Sequence, residues 1–329
     1  MEYTFFGRTG LRVSRLCLGT MNFGQNTTEV DAFRIMDEAL EVGLNFFDTA
    51  NIYGGGGPKG LTEEIMGRWF SQGGGRREKV VLAAKVYGSM GDPHDGPNDA
   101  PGLSAYKIRR HLEASLKRLK TDHVELYQMH HIDRHAPWEE IWETLQLLVQ
   151  QGKIFYVGSS NFAGWQIVKA QAAAEKRLCL GLVSEQHQYS LLCRMPELEV
   201  LPACLNLGIG VIPYSPLKGG ILGGTIDVQE HPRSRRSRGN GKTLSEKHEK
   251  QIKAFAELCR RIGQSESAVA LAWILRHPAI AAPIIGPRTS EQLKEALPVV
   301  SLKLDSATLS ELDKIFPGPG GEAPEAYAW

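Results

Sequence analysis

The sequence predicts an α/β fold in which eight parallel strands, each followed by a helix, close into a barrel. Two observations carry this expectation. Short apolar runs alternate eight times with amphipathic stretches along the 329 residues. The turn after the first strand reads LGTMNFGQN, which fails the G-x-G-x-x-G spacing that an open doubly wound sheet would place there for a dinucleotide. The open sheet is the competing arrangement. A single barrel domain over residues 1–329 is the expected organisation.

The elements follow in order. RLCLGT is a strand, and TEVDAFRIMDEALEVG has helical spacing, with Gly43 placed to end it. NFFDTA is the second strand and LTEEIMGRWF its helix; KVVLAAKV and SAYKIRRHLEASLKRL form the third pair, with Ser104 as N-cap. HVELYQMH and PWEEIWETLQLLVQQG form the fourth, where Pro137 suits the first turn. IFYVGSS with WQIVKAQAAAEK, and GLVSEQ with PELEVLPACLNLG, are the fifth and sixth pairs. GVIPYSPL is the seventh strand, followed after a polar segment by the helices EKHEKQIKAFAELCRRIG and SAVALAWILRHP. APIIG and SEQLKEALPVV close the series.

Composition narrows the function classes. A chain 42% hydrophobic and 23% charged, with a formal net charge of +1, gives no reason to expect nucleic acid or an acidic membrane. No apolar run approaches the ~18 residues of a membrane span, and the opening MEYTFFGRTGLRVSR lacks a signal-peptide pattern, so a cytoplasmic location is expected. Cys17, Cys179, Cys193, Cys204 and Cys259 form no C-x-x-C pair and read as reduced, structural thiols.

In such a barrel, chemistry sits at the C-terminal strand ends and in the loops after them. Those ends carry Thr20, Met21 and Asn22; Asp48 and Tyr53; Lys85; His130, His131 and Asp133; Ser159, Ser160 and Asn161; Glu185 and Gln186; Tyr214 and Ser215; and Arg288. Taken singly, an Asp at a strand end is a cap, a Lys is solvated, and a Tyr near glycines packs. HHID, residues 130–133, would suit a metal only if ligands converged from another element, so no metal is expected. Jointly, Asp48, Tyr53, Lys85 and His130 come from three adjacent strands. An ammonium at Lys85 beside the Tyr53 phenol favours the phenolate, and Asp48 would keep Lys85 charged. The set is suited to acid catalysis of carbonyl reduction, which needs a hydride source.

These motifs resemble the aldo-keto reductases over almost the whole chain. YTFFGRTGLRVSRLCLGTMNFG resembles the family's opening hairpin, which covers the barrel bottom, and its first strand. FFDTANIYG, LAAKV and LYQMHHID carry its Asp-Tyr-Lys-His tetrad at Asp48, Tyr53, Lys85 and His130. The resemblance implies a cofactor site for NADPH or NADP+, in preference to NADH. Ser160, Asn161 and Gln186 would hold the nicotinamide carboxamide, and Tyr214 would stack on its ring. Ser215, Leu217 and Gly219 would lie near the pyrophosphate, with Gly286, Arg288 and Gln292 near the adenosine phosphate. Thr20, Met21 and Asp48 complete the cofactor set, and Asn22, Tyr53, His130 and His131 would meet substrate. Three positions depart from common family patterns: Ala296 removes an adenine contact, Thr225 removes a charge near the pyrophosphate, and Tyr214 replaces a frequent Trp.

The basic segment HPRSRRSRGNGK, residues 231–242, reads as a loop that closes over the cofactor phosphates. The opening and the IFPGPG…EAYAW tail are similar to bacterial sugar-pathway members, including NDP-hexose 2,3-enoyl reductases, and a nucleotide sugar is the substrate this implies. The tail is expected over the barrel mouth. The same fold also serves as the cofactor-binding β subunit of potassium channels, a regulatory alternative to an enzyme. Those subunits lack the tetrad histidine that this chain carries at His130.

Overall fold

The computed structural model describes residues 1–24, 26–54, 56–224 and 240–321. The chain opens with an antiparallel hairpin, β1 (Tyr3–Phe5) and β2 (Arg12–Ser14), with Tyr3 opposite Ser14. Eight parallel strands follow: β3 (Cys17–Gly19), β4 (Phe46–Asp48), β5 (Val81–Val86), β6 (Val124–Met129), β7 (Ile154–Ser160), β8 (Leu182–Gln186), β9 (Gly210–Val211) and β10 (Ile284–Ile285). Their spatial order is β10-β3-β4-β5-β6-β7-β8-β9. The sheet closes on itself, because Ala281 N donates to Val211 O at 2.9 Å and Ile284 N to Pro213 O at 2.8 Å. An open doubly wound sheet is therefore excluded, and the (β/α)8 barrel holds.

Helices α1 (Glu29–Glu41), α2 (Leu61–Phe70), α3 (Ala105–Leu119), α4 (Trp138–Gln150), α5 (Gly164–Glu175) and α6 (Val200–Leu207) connect successive strands. Then come α7 (Asn240–Lys247), α8 (Glu249–Arg261), α9 (Glu266–Leu275), α10 (Ser290–Ala296) and α11 (Ser306–Ile315). Thr28 and Ser104 cap α1 and α3 as N-cap acceptors for Asp31 N and Lys107 N. Pro137 is the N-cap of α4 rather than a first-turn residue. The expected seventh strand shortens to two residues, since Pro213 has no N–H to extend the ladder. Helix α11 was not anticipated from the sequence.

Alternation divides the core in two. Leu18, Phe47, Leu82, Ala84, Tyr127 and Met129 face outward and bury beneath the helices. Cys17, Phe46, Val81, Ala83, Leu126, Val183 and Ile212 face the barrel interior, where Phe6 from the hairpin joins them. Phe6 meets Phe46 edge-on, with ring centroids 5.2 Å apart, so the hairpin plugs the bottom. The interior is apolar below and must change character where the strands end. The basic segment at 231–239 and the tail at 322–329 lie outside the described residues, as does Thr225. No helix among the described residues is long and apolar enough to cross a membrane.

Candidate active site

One step above the apolar plug, the same inward positions become polar. Asp48 stands two residues after Phe46, Lys85 two after Ala83, and Gln128 two after Leu126. Lys85 Nζ donates to Asp48 Oδ2 at 2.6 Å, to Thr49 O at 2.9 Å and to Tyr53 Oη at 3.1 Å. These three bonds exhaust the ammonium. An ammonium has only donors, so the phenol oxygen is the acceptor and the Tyr53 O–H is left to point away from Lys85. Tyr53 reaches this place on the turn after β4, where its N donates to Ala50 O at 3.0 Å.

Asp48 Oδ1 accepts from Gln128 Nε2 at 3.1 Å and from Gln186 Nε2 at 2.8 Å. Gln186 reaches the interior because of a register shift. Leu182 opposes Val157, but Ser184 opposes Gly158, so β8 carries an extra residue there. Val183 faces inward with the apolar plug. Strict alternation from it would turn Glu185 in and Gln186 out; the bulge reverses this. Glu185 is instead buried outside the barrel, accepting from Ser159 Oγ, from Phe162 N at 3.1 Å and from His187 Nδ1 at 3.0 Å.

Electrostatics assign the proton states. Burial pulls Lys85 down, but Asp48 and Tyr53 outweigh it and its net shift is upward, so it stays an ammonium at neutral pH. Burial also raises the Tyr53 phenol, and the opposing effect of Lys85 does not cancel it. This corrects the expectation of a favoured phenolate: the resting group is a protonated phenol, loaded to donate. His130 lies edge-on to Tyr53, with ring centroids 5.9 Å apart. Burial, then Lys85 and His131, bring its imidazole down to about 3, so it is neutral at working pH.

Across the mouth, Asn161 and Ser215 adopt positive φ of 61° and 51°, and Lys218 48°. Non-glycine residues rarely hold this conformation, and it concentrates at functional sites. Asn161 Nδ2 donates to His130 O at 3.1 Å and to Ser160 Oγ at 3.0 Å, while its Oδ1 accepts from Tyr214 Oη at 2.9 Å. Asn161 Oδ1 keeps a second lone pair, Gln186 Oε1 accepts nothing from the described residues, and the Ser160 hydroxyl proton has no acceptor among them. Two acceptors and one donor are the complement of a primary carboxamide. The residues present therefore fit the amide of a nicotinamide.

Other expected residues take clear positions. Thr20 Oγ1 donates to Asp48 O at 2.9 Å, pinning the ends of β3 and β4 together. Asn22 Nδ2 donates to Gly286 O at 3.0 Å, which ties it to the loop after β10. In that loop Arg288 N donates to Gln292 Oε1 at 2.9 Å, bringing Gly286, Arg288 and Gln292 into one segment. Leu217 O receives Leu222 N at 3.1 Å, closing the turn that contains Gly219. Met21 is 47% exposed at the mouth, and His131 lies against Tyr87 with centroids 5.3 Å apart.

The family model for the aldo/keto reductases matches residues 15–316. The chain belongs to the aldo/keto reductase family. It is 63% identical to an uncharacterized oxidoreductase, YrpG, of Bacillus subtilis, over the full length of both chains. It is 30% identical to a versiconal hemiacetal acetate reductase of Aspergillus parasiticus, covering 95% of this chain and 96% of the relative. It is 32% identical to a probable voltage-gated potassium channel subunit beta of Arabidopsis thaliana, covering 96% and 95%. This aldo/keto reductase is an oxidoreductase whose tetrad positions lie together at one end of the barrel. Sequence reasoning missed Gln128. Its signal was available, because it shares the inward parity of His130, two residues further on.

Proposed function

We propose that the protein is an NADPH-dependent carbonyl reductase of a small aldehyde or ketone, working as one barrel domain, with Tyr53 as the general acid. The observation that carries this is the bond from Lys85 to the Tyr53 oxygen, which leaves the phenol proton pointing away from Lys85 and available to a substrate. When bound, the nicotinamide supplies the hydride. Ser160, Asn161 and Gln186 hold its carboxamide, and Tyr214 faces its ring. His130, neutral, donates a hydrogen bond to the substrate carbonyl and orients it toward Tyr53. As negative charge develops on the carbonyl oxygen, Tyr53 passes its proton there, and the neighbouring Lys85 ammonium stabilises the phenolate left behind. Arg288, beside Gly286 and Gln292, suits a 2′-phosphate, which supports NADPH over NADH.

Two relatives bear on the choice of reading. One is named as a reductase of a hemiacetal acetate, and another as a channel subunit. The presence of His130 in contact with Tyr53 favours turnover over a purely regulatory role. None of the relatives named above has a sugar in its name. The EAYAW end of the tail that would favour a nucleotide sugar lies outside the described residues, so a ketosugar is one member of the carbonyl panel rather than the assigned substrate.

The test is Tyr53→Phe, assayed by NADPH oxidation with aldehydes, ketones and ketosugars. Loss of positioned acid catalysis lowers kcat by about 10²–10⁴-fold while cofactor affinity stays within a few-fold. Turnover equal to that of the unaltered protein would remove Tyr53 from the role of acid.

A further inference from the structure

Gln128 takes no part in the tetrad, yet it is fully buried in the polar layer at the centre of the site. Its Nε2 donates to Asp48 Oδ1 at 3.1 Å, and its Oε1 accepts from Gln186 Nε2 at 3.3 Å. Gln186 Nε2 also donates to Asp48 Oδ1 at 2.8 Å. The three side chains form a closed ring, and counting donors fixes every orientation in it. An amide nitrogen has two N–H groups. Gln186 spends one on the carboxylate and one on Gln128. Rotating the Gln186 amide by half a turn would set its oxygen against two acceptors, Asp48 Oδ1 and Gln128 Oε1. Rotating Gln128 as well would set a second oxygen against the carboxylate. In such surroundings the mismatch is costly, because a buried polar group without a complementary partner loses its hydration and regains nothing.

We infer that Gln128 is a positioning residue that locks the Gln186 amide with its oxygen facing the mouth, as an acceptor for a carboxamide N–H. This inference rests on the proposed nicotinamide site. It adds that the carboxamide clamp and the carboxylate supporting Lys85 are one hydrogen-bonded unit. Without Gln128, one Gln186 N–H has no acceptor, and Asp48 Oδ1 alone opposes the turned amide, so the lock loses one of its two restraints. A site whose acceptor there is less firmly held prefers a carboxamide less strongly over a group of similar shape that lacks N–H.

The experiment compares binding of NADP+ and of its 3-acetylpyridine analogue, in which a methyl ketone replaces the carboxamide. Affinities are read from quenching of tryptophan fluorescence, with no substrate and no turnover. The unaltered protein prefers NADP+ by about fivefold or more, the worth of one net hydrogen bond or somewhat above it. In Gln128→Leu, and in Gln128→Met, which keeps the chain length and packing, NADP+ binding weakens by about fivefold while analogue binding changes by less than about twofold. Gln186→Leu lowers the same preference at least as far, and combining it with Gln128→Met adds little further loss, as expected for residues acting as a unit. A purely structural role for Gln128 would weaken both ligands alike, and that result overturns the inference. So does a preference that is undiminished in a folded Gln128→Met protein. If the unaltered protein shows no preference at all, the carboxamide assignment itself fails, and the inference with it.

Discussion

Replacing Lys85 with methionine isolates what the buried ion pair contributes. The Lys85 and Asp48 side chains are 0% and 4% exposed, so the pair is almost wholly removed from water. Deleting one partner of such a pair costs about 3–5 kcal/mol, because the surviving charge is buried without compensation. Asp48 would keep two amide donors, from Gln128 and Gln186, which places the loss near the lower end, at about 3 kcal/mol. A typical domain has about 5–15 kcal/mol in hand, so the variant still folds at 25 °C. Urea titration at neutral pH would show a lower midpoint with an unchanged slope. Adding Asp48→Asn to Lys85→Met recovers most of the loss, since the Asn oxygen still accepts from both amides and neither charge remains. The sign with pH follows from Lys85, whose folded value is raised. Its contribution is complete below the unfolded value of about 10.4 and is lost as pH rises through the folded value. The stability gap between the two proteins is therefore flat at neutral pH and narrows only above about pH 10.4. A Lys85→Met protein within about 1 kcal/mol of the original, or a double variant no more stable than the single, would refute the buried-pair argument.

Three more outcomes follow from the same geometry. With His130 held down to about 3 and the Tyr53 phenol raised by burial, the kcat/KM for reduction should show no histidine step between about pH 5 and 8, and fall only near or above about pH 10. A kinetic step near about pH 6.5 that disappears in His130→Gln would contradict the neutral imidazole. His111 is lowered by burial and then by Lys107, with Asp95 and Asp99 opposing, and it links Asp95 to Asn51 beneath the Tyr53 turn. The unfolded chain takes up this proton first, so stability is complete above about pH 6.5 and declines below it; His111→Gln should flatten that limb in denaturant titrations. Gly158→Ala places a methyl 2.3 Å from Ser184 Oγ and 3.0 Å from Gln128 Cγ, predicting about 1–3 kcal/mol of destabilisation, relieved in part by Ser184→Gly.

The barrel was legible because its signal is repeated. Each strand-helix unit states the same alternation, and a boundary error in one, such as the seventh strand cut short at Pro213, leaves the others intact. The tetrad positions were legible for a related reason. Asp48 and Lys85 each sit two residues above an inward apolar residue, so parity alone aims them into the barrel. Gln186 breaks that logic. Parity counted from Val183 turns Glu185 inward, and only the extra residue opposite the Val157–Gly158 step reverses the assignment. A bulge is a pairing event between two strands, and no pattern within GLVSEQ announces it. Resemblance to relatives could name Gln186, while local periodicity would have chosen the wrong neighbour. The phenol shows a different limit. Lys85 does pull the Tyr53 phenol down, but the expected phenolate is not favoured, because the sign of the net shift depends on how much water burial removes, which is a property of the packed site. What a sequence states in duplicate survives local error. What depends on one register shift, or on the balance of two opposing terms, needs the three-dimensional arrangement to decide it.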